Sequence, residues 1–143
     1  MRLSQVLCEK GSHVVTTHRG VTVLEAIRSL VDRNIGALVV MEGRDTVGIL
    51  TERDLLRFLA RGPADLDEVR VGDLMTRDVI TARADDSLAH AMEVMTEHRV
   101  RHLPITEDGR LAGIVSIGDV VNTLRTEIES ENLRLREYIA GAG

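Results

Sequence analysis

Gly48-Ile49-Leu50-Thr51-Glu52-Arg53-Asp54 is written a second time in this chain, as Gly113-Ile114-Val115-Ser116-Ile117-Gly118-Asp119. Both copies run glycine, two aliphatics, a hydroxyl residue, two variable residues and aspartate. Aliphatic residues precede each copy and a helical pattern follows it, so hydroxyl and carboxylate fall where a strand hands over to a helix N-terminus. Unpaired N–H groups and the positive end of the helix dipole suit such a junction to holding a phosphate. The same Ser/Thr-x-x-Asp spacing is also close to a capping box, in which hydroxyl and acid close the first helical turn. One hydroxyl can serve both purposes.

The repetition extends well beyond the motif. Adding 65 to a residue number carries Val14 onto Val79, Thr16 onto Thr81, Ala26 onto Ala91, Leu38 onto Leu103 and Asp54 onto Asp119 without a gap. The chain therefore reads as a tandem duplication. In the first copy, residues 14–16 form a short strand candidate, and Val23, Ala26, Ile27, Leu30 and Val31 mark one face of a helix capped by Thr22. Residues 37–41 and 46–50 make a hairpin around a turn at 42–45, and residues 52–60 close the unit as a helix. The second copy repeats the order: strand 79–81, helix 87–98, strands 102–106 and 111–115, helix from 117. Each unit is strand, helix, strand, strand, helix, an α/β (α+β) arrangement. Two such units packed as a pseudo-twofold pair are expected, because about 60 residues make a marginal core alone.

Residues 71–75 echo residues 3–7 as a lead-in, displaced by 68 rather than 65, so the first copy carries three extra residues around 9–13. The expected division is a first repeat with its lead-in over 1–62, a linker, lead-in and second repeat over 63–125, and a helical extension over 126–143. Val121, Leu124, Ile128, Leu135 and Tyr138 continue at heptad-like spacing in that extension, interrupted by Glu131. It is expected to dock against its own body or against a second subunit.

Composition narrows the functional classes. Hydrophobic residues make up 43 % of the chain but aromatics only 1 %, so both the core and any ligand-ring wall must be aliphatic. A net charge of −5, without a basic stripe, argues against duplex nucleic acid as a partner. No apolar run approaches the ~18 residues of a membrane span, and the N-terminal ten residues lack a secretory signal pattern, so a cytoplasmic location is expected. Cys8 is the single cysteine and has no local partner pattern, which favours an inert thiol. His98 and His102 are four apart, but the helix is expected to end between them and no third ligand stands near, so no metal is expected. No activated nucleophile, base pair of acids or metal set suggests an enzyme.

The tandem units, the two glycine-to-aspartate motifs, the lead-ins ending Val6-Leu7 and Leu74-Met75, and the segments 33–40 and 98–105 together resemble the cystathionine β-synthase-like domain pair, the CBS pair or Bateman module. The likeness covers residues 3–124. It implies a regulatory module that binds adenine-containing molecules (AMP, ADP, ATP, NAD or S-adenosylmethionine), commonly as a homodimer acting on another protein. It further implies that Asp54 and Asp119 hold ribose hydroxyls and that Thr51 and Ser116 lie near ribose or phosphate. By the same likeness Val15, Ile35, Ile80 and Val100 wall the adenine. The copies differ where Arg101-His102 replace Gly36-Ala37, and where Gly118 replaces Arg53. Phosphate-facing charge is thus expected from Arg101 and His102 at one junction and from Arg53 at the other. The competing expectation is a dimerisation or interaction scaffold whose two junctions are only caps.

Overall fold

The structure, a computed structural model, describes residues 1–142, with side chains through Gly141. Helix α1 (Leu3–Lys10) leads into the first repeat, which runs β1 (Thr16–Thr17), α2 (Val23–Arg33), β2 (Ala37–Glu42), β3 (Asp45–Thr51) and α3 (Glu52–Leu59). After the linker, α4 (Val71–Leu74) leads into β4 (Ala82–Arg83), α5 (Leu88–His98), β5 (His102–Glu107), β6 (Arg110–Ser116) and α6 (Ile117–Ala142). Each repeat contributes a three-stranded sheet, ordered β1-β2-β3 and β4-β5-β6, with its first pair parallel and its second antiparallel.

The duplication is visible in local detail. Thr22 and Ser87 cap α2 and α5 by accepting the N–H groups of Glu25 and His90 at 3.2 and 3.0 Å. Both helices end on a left-handed residue, Asn34 (φ 53°) and Arg99 (φ 54°). The register of both hairpins slips at equivalent places, between Val40 and Met41 and between Ile105 and Thr106.

One expectation from the sequence is corrected. The short first strands lie later than residues 14–16 and 79–81, at Thr16–Thr17 and Ala82–Arg83. Val14 and Val15 are half-buried just ahead of Thr16–Thr17, and the Val15 carbonyl still accepts the Val39 N–H at 3.3 Å. The expected C-terminal helical extension is present: glutamate interrupts an apolar stripe without costing helix propensity, and α6 runs unbroken through Glu131. Only its first two turns meet the body: Val120 and Thr123 are buried and Leu124 is partly so, whereas Ile128, Leu133, Leu135, Tyr138 and Ile139 are exposed.

The two cores are completed crosswise. Leu3, Val6 and Leu7 of α1 pack into the second repeat's core with Leu88, Met95, Leu103, Ile105 and Val115. Val71 and Met75, around α4, pack into the first repeat's core with Val23, Leu30, Leu38, Val40 and Leu50. Backbone bonds tie the exchange: the Leu3 and Ser4 N–H groups donate to the Asp86 and Ala84 carbonyls at 2.9 and 2.8 Å, and Val71 N–H donates to the Val21 carbonyl at 2.8 Å. The motif glycines make room for these arms. A Cβ on Gly113 would stand 2.6 Å from Leu7 Cδ2, and one on Gly48 would stand 2.6 Å from Met75 Sδ.

Candidate functional site

Each motif ends a strand and caps the next helix, but the two carboxylates are engaged differently. Asp54 Oδ2 accepts from the Thr51 N–H at 2.9 Å and the Thr51 hydroxyl at 3.1 Å, and Oδ1 accepts from the Thr76 hydroxyl at 3.0 Å. Thr76 belongs to the arm following α4, which exchanges both backbone bonds with Ile49 at 2.9 Å. That bridge seals the first junction. Asp119 Oδ2 accepts from the Ser116 N–H at 2.8 Å and from Lys10 Nζ at 2.7 Å. Lys10 Nζ also donates to the Ile114 carbonyl at 2.7 Å, whose counterpart Ile49 is bridged by Thr76. Both hydroxyls accept from the N–H three residues on, Asp54 N–H at 3.4 Å and Asp119 N–H at 3.2 Å, so the capping box is present at both junctions.

Where a lysine side chain replaces a backbone bridge, a groove of about 320 Å³ opens between the repeats. Val15, Ile35, Gly36 and Ala37 line it from the first repeat, and His102, Ile114, Ser116 and Asp119 from the second. Lys10, His13, Val14 and Asn34 complete its wall. Seven of the residues singled out in the sequence thus meet in one place. Thr51, Arg53, Asp54, Ile80, Val100 and Arg101 do not line this groove. Ile80 and Val100 pack against the second repeat's core, and Arg53 and Arg101 are exposed without an ion pair among the described residues. A larger, more open concavity of about 760 Å³ beside α1, lined by Ser4, Cys8 and Arg110 among others, holds neither motif aspartate.

Lys10 was not singled out by its residue type. The signal for it was the insertion at residues 9–13, which gives the first arm the length to place an ammonium where the second arm places backbone.

The groove's electrostatics follow from partial burial. Burial pushes the Asp119 carboxyl up, but the Lys10 ammonium and the Ser116 N–H and hydroxyl outweigh it and hold the group below the ordinary carboxylate value. His102 stands beside Gly36, where a Cβ would meet its Cε1 at 3.0 Å. Burial pushes His102 down, against the pull of the Glu52 and Asp119 carboxylates. Below the ordinary histidine value the unfolded chain therefore takes up a proton that the folded chain resists, and stability falls as pH falls. We expect the melting temperature to decline from about pH 6.5 downwards, the ordinary histidine range. In His102→Ala, which restores the residue found at Ala37, that slope flattens in a melting series from pH 8 to 5. An unchanged slope would place its origin elsewhere. Among the described residues, no group of three or more His, Cys, Asp or Glu side chains is placed to hold a metal ion, and no helix is long and apolar enough to cross a membrane.

Comparison with known proteins shows the family and the fold. The family model described as "CBS domain" matches residues 10–61 and 71–126. The chain is 40 % identical to the mitochondrial CBS domain-containing protein CBSX3 of Arabidopsis thaliana, over 84 % of this chain and 61 % of that relative's length. It is also 40 % identical to the CBS-domain containing protein ATU1752 of Agrobacterium tumefaciens, whose crystal structure superposes with a TM-score of 0.83 over 86 % of this chain and 98 % of that one. Two further structures hold ligands. The CBS domain protein PAE2072 from Pyrobaculum aerophilum is complexed with AMP (26 % identity, TM-score 0.75, 88 % and 99 % of the two chains). The CBS domain pair of MJ0100 is in complex with 5′-methylthioadenosine and S-adenosyl-L-methionine (26 %, 0.77, 89 % and 98 %). Two tandem domains of one kind thus account for most of this sequence, and the chain belongs to the CBS-domain family.

Proposed function

We propose that this protein is a non-catalytic regulatory module that binds an adenine nucleotide, AMP foremost with ADP, ATP and NAD as alternatives, in the groove between its repeats. The observation that carries the reading is the meeting of aliphatic walls from one repeat (Val15, Ile35, Ala37) with Ser116 and Asp119 of the other around about 320 Å³. Apolar walls with a few placed polar groups are the usual build of a small-molecule site. Adenosine ligands in two structurally similar CBS pairs support the ligand class. Asp119 takes the ribose diol, since a carboxylate can accept from both hydroxyls, and Ser116 and the start of α6 face the phosphate side. Asp54 is assigned the cap at the sealed junction. A ligand touching both repeats favours one relative placement of them, which a second copy of the chain or a regulated partner protein reads.

The direct test is a thermal-shift series with AMP, ADP, ATP, NAD and S-adenosylmethionine. A ligand at 100 times its dissociation constant should stabilise the fold by about 2.7 kcal/mol. A flat response to all five overturns the proposal. The scaffold reading has its own observation, the exposed apolar stripe Ile128, Leu135 and Tyr138 on α6, and it predicts that flat response.

A further inference from the structure

The geometry points to Lys10 as the residue that selects phosphorylated adenosine ligands over uncharged nucleosides. This rests on the groove being the ligand site. Lys10 is the last residue of α1, and Gly11 follows it at φ 99°, a conformation that glycine adopts without strain. The lysine is the only cation hydrogen-bonded to either motif aspartate among the described residues, and it reaches across from the arm to the strand-to-helix junction of the opposite repeat. Its ammonium has three donors, of which one goes to Asp119 and one to the Ile114 carbonyl, each at 2.7 Å.

A ribose diol held bidentately by Asp119 places one hydroxyl on each carboxylate oxygen. Oδ2 already accepts from the Ser116 N–H and from Lys10, while Oδ1 accepts no bond among the described residues. The Ser116 N–H is backbone within the capping box and stays; the lysine, at the end of a flexible four-carbon stem, is the donor that can leave. A ligand carrying a 5′-phosphate gives the displaced ammonium a new anion within the same groove, with His13 and His102 on its wall. An uncharged nucleoside breaks the Lys10–Asp119 pair and returns nothing, and a sulfonium ligand adds repulsion. Lys10 therefore holds the site closed to ligands that cannot recapture it.

Calorimetric titration of the full chain with AMP and with adenosine tests this, using wild type, Lys10→Met and Lys10→Arg. Lys10 packs no core, so both variants are expected to fold with one cooperative melting transition, its midpoint lowered in Lys10→Met by loss of the bonds to Asp119 and the Ile114 carbonyl. Wild type should bind AMP at least tenfold more tightly than adenosine. In Lys10→Met, AMP should weaken by tenfold or more while adenosine is unchanged or tighter, bringing the two within about threefold; Lys10→Arg should keep the preference. A Lys10→Met protein with the wild-type AMP-to-adenosine ratio overturns the assignment of Lys10 while leaving the groove as the site. Absence of binding of either ligand to wild type overturns the groove reading and this assignment with it.

Discussion

Asp119→Asn should weaken AMP binding by about 10- to 100-fold, the loss expected when charge-assisted hydrogen bonds worth about 1.5–3 kcal/mol become neutral ones. Asp54→Asn should change it by less than about threefold, the scale of a few tenths of a kcal/mol. The contrast follows from the surroundings of the two acids. Asp119 lines the groove with Oδ2 bonded to the Lys10 ammonium and Oδ1 without a bond among the described residues, whereas Asp54 is bound on both oxygens by Thr51 and Thr76. Isothermal titration of the two variants beside wild type reads the difference. Equal losses would mean that both junctions hold nucleotide. A silent Asp119→Asn in a protein that binds AMP would move the ligand out of the groove.

Leu103→Ala should destabilise the fold by about 2–5 kcal/mol, the range for removing a fully buried leucine from a close-packed core. Leu103 is 0 % exposed and Leu38, its counterpart in the first repeat, is 1 % exposed, so Leu38→Ala should cost a similar amount. The form of the transition is more informative than its midpoint. Each core contains an arm that belongs in sequence to the other side of the chain, so loosening one core releases an arm that is continuous with the other. Urea unfolding of both variants should therefore remain a single transition with the wild-type slope, only its midpoint moved. A second, separate transition in Leu103→Ala would show that the repeats unfold independently.

Much of this architecture was legible because a duplication states each element twice. The caps at Thr22 and Ser87, the two hairpins and the strand-to-helix motifs all follow from local chemistry that needs no distant partner. Val15, Ile35, Ser116 and Asp119 were named from the family likeness and Gly36, Ala37 and His102 from the difference between the copies, and these seven share one groove while Thr51, Arg53, Asp54, Ile80, Val100 and Arg101 lie outside it. Two things were not legible. Nothing in Leu3, Val6 and Leu7 says which core will receive them, because an apolar helix face fits any aliphatic surface of the right width. How each junction's carboxylate is engaged was equally hidden, since Thr51 and Ser116 look interchangeable, as do Asp54 and Asp119. What separates them is the sealing of one strand edge by a backbone bridge to Thr76 and the occupation of the other by a lysine side chain. That is a property of arm length, visible in sequence only as three unexplained residues.

The crossed arms also bear on how the chain comes off the ribosome. The strands and helices of the first repeat emerge before the residues of the α4 arm that finish their interior, and α1, made before them, packs against β6 and α6, which are made after all the other described elements. Synthesis runs in one direction, but assembly cannot: α1 must stay unplaced until β6 and the start of α6 have been translated. A ribosome stalled before residue 110 should therefore display a nascent chain whose α1 segment is open to protease, and release of the full chain should close it.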